Sequence, residues 1–572
     1  MNTLLDEKAA KAVFSTSSDE NVNLAMIWLN RCLKSHAACT ISTHPLAPLP
    51  TRVLDVAASD THDGIRLRYG KGIFSPYITL SHVWGSEPVI TTTKLTLNDR
   101  LTSISMKSLT QTFRDAVTVA RNMSVQYLWI DSLCIIQDSA EDWAAESARM
   151  GEYYGNSLFT IAAVWAIGGS GGCFARRDPL ELSPCRVRIQ FPENVRISGQ
   201  RQFLRPTTSW DTARDTVNFH RPPLWQRAWV LQERLLSRRI LQFSDIQLSW
   251  RCPTEEASER APEGFPRRKQ SKYGDSIVQE AITGFNYLRS PGNPGKIGTQ
   301  SQTTDTLSAN SKLADIYNAW YDLIMLYGRC NLTKPSDIFP AISSLAAGLG
   351  KVIGDTYIAG LWQQDLHRGL LWSAPDSTKA KDDMRCYRAP SWSWASLSGA
   401  CSFIVRQIYL QADATPVITI KDVILTASTP ALGSYGELSN GILRFTGLLK
   451  RAHPKGIEGE NIFYAIAKDS DEVALFDLQE QRVVGYYYPD NKSRAALSEV
   501  WCCPVLTKGV SAKGVPNVAK AEMEKGGQLA QAYGLVLYPL DQRERIYMRV
   551  GLTWITDFSW FKGIQAVDLR IV

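Results

Sequence analysis

Three stretches of this chain carry residue types and spacings that could do chemistry. In YITLSHVWG (77–85), the strand-forming residues Tyr77, Ile78, Thr79 and Leu80 give way abruptly to Ser81, His82, Trp84 and Gly85. VQYLWI (125–130) runs straight into Asp131 and Ser132. LWQRAWVLQERLLS (224–237) contains Trp225, Trp229 and Glu233. A histidine and an aspartate can share acid/base work. A glutamate among indoles has its carboxyl pKa raised by poor solvation, and the indoles can stack on a planar base or ring. Taken singly, each residue has a plainer use: Asp131 as a turn or capping residue, His82 and the two tryptophans as core, Glu233 as a solvated helix residue. Only their convergence makes a site, with Glu233, His82 and Asp131 as catalytic candidates. Ser81, Trp84, Gly85, Ser132, Trp225 and Trp229 are then the binding candidates.

The elements around these stretches would bring them together. The strand at 77–81 is followed by a helical pattern in KSLTQTFRDAVTVARNM, with Leu109, Phe113, Ala116, Val117 and Ala120 on one face. The strand at 125–130 leads to Ser139-x-x-Asp142, a capping box, and a helix with Trp143, Ser147, Met150 and Tyr154 on one side. LFTIAAVW makes a third strand. Alternating strands and helices predict a parallel α/β sheet, in which loops and helix N-termini gather at the carboxyl ends of the strands. The segment 224–236 is expected as one helix with core residues Leu224, Ala228, Leu231 and Leu235. At 100° per residue, Trp225, Trp229 and Glu233 would share a separate flank about 80° wide. ILQFSDIQLSWRC reads as two short strands around Ser244 and Asp245.

Length and composition set the wider frame. A chain of 572 residues requires two to four domains, and 44% hydrophobic with 21% charged residues is ordinary for a globular protein. The net charge of +7 is dispersed, and its densest run, Arg267, Arg268, Lys269 and Lys272, lies in a Pro/Gly/Ser-rich stretch without aromatic stacking residues. Nucleic-acid binding is not expected. MNTLLDEKAAKAVF has no apolar secretory core, and LFTIAAVWAIGG is too short to span a bilayer, so a cytoplasmic protein with reduced cysteines is expected. Cys32, His36 and Cys39 form C-x3-H-x2-C with His44 as the nearest further ligand. Lacking a convincing fourth ligand, the two cysteines are read as a buried pair of small apolar thiols, and neither metal nor cofactor is expected.

The N-terminal segment 1–50 is expected to be helical, with Leu24, Ile27, Trp28 and Leu33 of ENVNLAMIWLNRCLK on its apolar face. The α/β domain is placed at 51–255 and a flexible insertion at 256–312. A helical region packed on the α/β domain follows at 313–385, then a mainly β region at 386–572.

These motifs together resemble the fungal heterokaryon-incompatibility (HET) domain. The resemblance rests on YITLSHVWG, on YLWIDSLCIIQD with EDWAAESARMGEYY, and on LWQRAWVLQERLLS. WLNRCLKSHAAC before them, and YIAGLWQQDLHRGLLW and APSWSWASLSG after them, are similar to flanking segments of that family. The resemblance implies a role in self/non-self recognition and programmed cell death. The family is remotely similar to the TIR fold, a flavodoxin-like parallel sheet whose W-x-x-E type glutamate serves NAD cleavage. Glu233 in W-V-L-Q-E would be that glutamate, NAD the substrate, and a homo-oligomer or an incompatibility partner protein the assembly. His82 stands where the family more often has tyrosine, and Ile136 where it commonly has asparagine. Two other readings stay open: a scaffold recruited to fungal secondary metabolism, using His82 with Glu233 or Asp131 as acid/base, and a non-enzymatic signalling module.

Overall fold

The computed structural model describes residues 15–40, 47–57, 64–177, 222–266, 306–374, 387–404, 414–428, 430–455, 473–477, 479, 482–491, 494, 497–508 and 531–572. They fall into two compact units, Met1–Pro294 and Gly295–Val572.

The first unit is built on one ten-stranded sheet. Its strands are β1 (Arg52–Asp55), β2 (Gly64–Tyr69), β3 (Tyr77–Ser81), β4 (Ile104–Ser105), β5 (Tyr127–Trp129), β6 (Thr160–Ala163), β7 (Ile240–Phe243), β8 (Leu248–Arg251), β9 (Glu255–Ser258) and β10 (Ala261–Pro266). Its helices are α1 (Asp19–Ser35), α2 (Ala37–Thr40), α3 (Leu97–Thr102), α4 (Gln111–Asn122), α5 (Asp131–Cys134), α6 (Ala140–Asn156) and α7 (Ala228–Leu236). The spatial order is β10-β9-β8-β7-β6-β3-β5-β1-β2-β4. The four central strands, β5, β3, β6 and β7, are parallel. The expected parallel sheet is thus the centre of a larger mixed one, extended on both sides by antiparallel strands.

Burial explains why the centre is parallel. Every residue of β3, β5 and β6 is buried, as strands covered by helices on both faces require. Helix α4 starts where the Thr110 hydroxyl accepts the Phe113 N–H, and α6 where the Ser139 hydroxyl accepts the Asp142 N–H. The box expected at Ser139-x-x-Asp142 closes only by this half, since the Asp142 carboxylate takes the Ile136 N–H and Arg52 while the Ser139 N–H goes to the Ile136 carbonyl. The chain goes from β3 to β5 on one side and then crosses back over β3 to β6 and β7 on the other. The winding therefore reverses between β3 and β6, at a switch point where a sheet of this kind opens a crevice at its carboxyl edge.

Several expectations are corrected. The buried face of α1 is Ala25, Trp28, Leu29 and Cys32, while Ile27 is 56% and Leu33 37% exposed. Spacings of three, one and three residues select this stripe over the more apolar-looking one. The segment 224–236 is not one helix: a 3-10 turn over Pro223–Gln226 ends at Arg227, whose backbone is extended at φ −84° and ψ 132°, before α7 begins. The insertion expected at 256–312 begins instead with β9 and β10 and ends inside a helix spanning Thr306–Tyr327. The basic run at 267–272 lies outside the described residues, as does His44.

The second unit starts with the helices Thr306–Tyr327 and Ser343–Ile353 and becomes mainly β, as expected. Six antiparallel strands close a barrel: Lys450–Lys455, Val473–Asp477, Arg482–Pro489, Ile546–Ile555, Gln531–Asp541 and Val500–Lys508, the last returning to the first. Leu475, Val484, Tyr487, Val500, Val536, Val550 and Trp560 fill its core. Closure leaves these six strands paired on both sides.

Candidate functional site

The register of the parallel strands brings the first two motifs level. Thr79 of β3 pairs with Trp129 of β5, so two residues further along both strands Ser81 and Asp131 stand side by side at the carboxyl edge. Ser81 also pairs with Ala162 of β6, which places it at the switch point. Asp131 opens the single turn of α5 and is fixed through both oxygens: Oδ2 accepts the Trp84 indole N–H at 2.9 Å and Oδ1 accepts the Ser132 backbone N–H at 2.8 Å. Asp131 is therefore a turn residue that also stands at the carboxyl edge.

His82 follows Ser81 into the interior and is 2% exposed. Its ring meets Phe113 edge-on at 5.1 Å between centroids. Burial lowers its pKa to about 4, against the pull of the Asp131 charge and with the push of Arg227. Hence it is neutral at physiological pH and does not titrate near neutrality. Its Nδ1 stands 3.9 Å from Asp131 Oδ1, and its buried Nε2 has no hydrogen-bond partner among the described residues.

Glu233 comes from α7, the helix between β6 and β7, and is 4% exposed rather than solvated. Burial raises its carboxyl pKa to about 7. Arg227, Ser81 and Tyr154 favour the charged form, whereas the Asp131 charge disfavours it. Ser81 Oγ lies near this carboxyl without reaching normal hydrogen-bond geometry, and the Tyr154 hydroxyl beside it donates to the Leu80 carbonyl at 3.2 Å. Arg227, at the break before α7, donates to the His82 carbonyl and so ties the third motif to the first. The adjacent Gln232 is fully buried, and neither of its amide atoms is hydrogen-bonded among the described residues.

Ser81, His82, Trp84, Asp131, Ser132 and Glu233 therefore meet at one edge of the sheet. The two remaining tryptophans are partly committed elsewhere. Trp225 carries the Arg234 guanidinium over its ring at 4.6 Å and packs against the cluster of Ala162, Val164, Leu224, Val230 and Ile240. Trp229 meets Trp143 of α6 edge-on at 6.0 Å. The common flank expected for Trp225 and Glu233 is lost because Arg227 interrupts the helix between them. Gly85 shapes the loop: with φ +76°, it passes so close to Gly168 that a Cβ would lie 2.8 Å from the Gly168 Cα. Arg227 and Tyr154 are site residues that the sequence reasoning had not assigned, although Tyr154 lay on the face predicted for α6. No residue-type signal marks Arg227, whose role depends on an extended backbone inside a helical-looking segment.

A buried carboxyl and a second, partly exposed one thus stand at the switch point of the helix-covered parallel centre of an α/β unit. Residues 77–233, from the first residue of β3 to Glu233 itself, match the family model described as "Heterokaryon incompatibility protein (HET)". No curated protein and no solved structure matches the chain. Among the described residues no helix is long and apolar enough to cross a membrane.

Proposed function

We propose that this heterokaryon-incompatibility-type protein cleaves nicotinamide from NAD, and that this activity serves incompatibility and cell death. The observation that carries the reading is Glu233, a buried carboxyl with a pKa near neutrality, held between Ser81, Tyr154, Arg227 and Asp131. The strand order β5-β3-β6-β7 is that of flavodoxin-like sheets, which take nucleotides at the same switch point.

In the reaction the bond between ribose C1′ and the pyridinium nitrogen breaks, and its electron pair leaves with nicotinamide, which needs no proton. The positive charge developing on the sugar is stabilised by the Glu233 carboxylate. Water then adds to C1′ and releases a proton to that carboxylate or to solvent, giving ADP-ribose. Because Glu233 is almost fully covered, substrate must displace part of the edge formed by the half-exposed Trp84 and Asp131. The reading that makes His82 the acid/base of a recruited metabolic enzyme is disfavoured by its low pKa and its distance from Asp131.

Incubating the purified full chain with NAD and following nicotinamide release tests the proposal. Release by the wild type and its loss in Glu233→Gln are expected. Turnover that survives this substitution rules out Glu233, and a wild type inert both alone and self-associated points to a signalling module.

A further inference from the structure

The fold gathers Cys32, His36, Cys39 and Cys252 into one buried cluster. Cys Sγ and His nitrogen atoms from all four lie within 4.8 Å of one another. Three of them come from α1, α2 and the residue between, where C-x3-H-x2-C turns Cys32, His36 and Cys39 to one side. The fourth, Cys252, follows β8 and is 216 residues from His36 in sequence. Cys32 is 0%, Cys39 1%, Cys252 2% and His36 8% exposed.

We propose that these four side chains form a structural zinc site of the Cys3His type. Three sulfurs and one imidazole without room for an open coordination position suit tetrahedral zinc in a closed site. Ideal Zn–S distances set ligand atoms about 3.7 Å apart, so the cluster needs only a small inward movement to coordinate an ion.

The surroundings of the cluster are those a metal centre requires. His36 turns Nδ1 to the Cys252 sulfur at 3.4 Å and Nε2 to the Glu255 carboxylate at 3.4 Å. A carboxylate on the outer nitrogen fixes the imidazole tautomer and strengthens the inner nitrogen as a ligand. Glu255 is itself clamped by Arg31, at 3.0 Å from Nε and 2.6 Å from Nη2. The Glu255 backbone N–H points at the Cys252 sulfur at 3.4 Å, and the Thr254 hydroxyl lies 3.6 Å from the Cys39 sulfur. Arg239, 2% exposed, donates from Nε to the Cys32 sulfur at 3.2 Å and from Nη2 to the Cys39 carbonyl at 3.0 Å. Three thiolates on one zinc carry a net charge of −1, and this buried guanidinium balances it.

All four ligands lie outside the matched segment 77–233. The ion would therefore clasp the chain before the domain to the strands after it, closing the first unit at the β8–β9 side of the sheet.

Metal analysis of the full chain, purified without chelator, is expected to give one zinc per chain. Cys252→Ser should lose it, Cys330→Ser in the second unit should retain it, and Glu255→Gln should weaken zinc retention against a chelator roughly 10- to 100-fold. Should Cys252→Ser fail to fold, cobalt exchanged into the wild type should give intense tetrahedral visible bands and thiolate charge-transfer absorption. A chain that purifies without zinc, a disulfide among these cysteines, zinc retained in Cys252→Ser, or a cobalt spectrum without thiolate bands would each overturn the assignment.

Discussion

His82 Nδ1 stands 3.9 Å from Asp131 Oδ1, while the other oxygen of the same carboxylate holds the Trp84 indole N–H at 2.9 Å. The first distance is beyond a hydrogen bond and the second is well within one. Asp131 is thus committed to Trp84 and to the turn at Ser132. Its charge acts on Glu233, and its geometry does not orient the histidine.

That charge can be read from a pH profile. Asp131 raises the Glu233 pKa and Arg227 lowers it. The proposed reaction uses the carboxylate form, so nicotinamide release should rise with pH through about 7 in the wild type. Asp131→Asn should move the rising limb to lower pH, and Arg227→Gln should move it to higher pH. Shifts in the same direction for both variants would disprove that Glu233 sets the limb.

The stability of the first unit should carry the mark of the same carboxyl. Glu233 has its pKa raised from 4.5 to about 7, so between these values the folded state binds more protons than the unfolded state. Stability is then full below pH 4.5 and falls as pH rises towards 7, by up to about 3 kcal/mol for a shift of this size. Hydrogen exchange of peptides from α7, followed from pH 5 to 8, should show this decline in the wild type. Glu233→Gln should flatten it.

His82 should act with the opposite sign. Its pKa falls from 6.5 to about 4, so the unfolded state binds more protons in that window, and stability is lost as pH drops through it. His82→Gln should remove this acid sensitivity in hydrogen exchange of the β3 segment. The same variant should leave the position of the activity limb near pH 7 unchanged. A limb displaced in His82→Gln would revive the histidine as an acid/base group.

Much of this site was legible because strand-ending polar residues are unusual in a buried parallel strand. Ser81, His82 and Asp131 announced the carboxyl edge by breaking runs such as YITL and YLWI, and the structure sets them level through the Thr79–Trp129 register. Glu233 was legible through its spacing from Trp229. The partnership of Trp225 with it was not, because Arg227 adopts an extended backbone where residue types alone favour continued helix. The α1 face was misread because Ile27 and Leu33 are more apolar than Ala25 and Cys32, yet packing selected the latter. Cys252 escaped because a ligand 216 residues away leaves no local spacing to recognise.

Gly85 provides the last test, of the loop that holds Trp84 over the edge. Its φ of +76° is a conformation that L side chains rarely adopt, and an added Cβ would lie 2.8 Å from the Gly168 Cα. The reciprocal change is gentler: a Cβ on Gly168 meets the Gly85 Cα at 3.3 Å, and no positive φ compounds it. Gly85→Ala should therefore cost about 1–3 kcal/mol of local stability and Gly168→Ala less. Because Trp84 is adjacent, Gly85→Ala should also loosen the indole bond to Asp131 and lower the Glu233-dependent activity. Matched hydrogen-exchange and activity measurements on the two variants check this: losses in Gly168→Ala as large as those in Gly85→Ala, or full activity in Gly85→Ala, would show that the Gly85 conformation does not hold Trp84 in place.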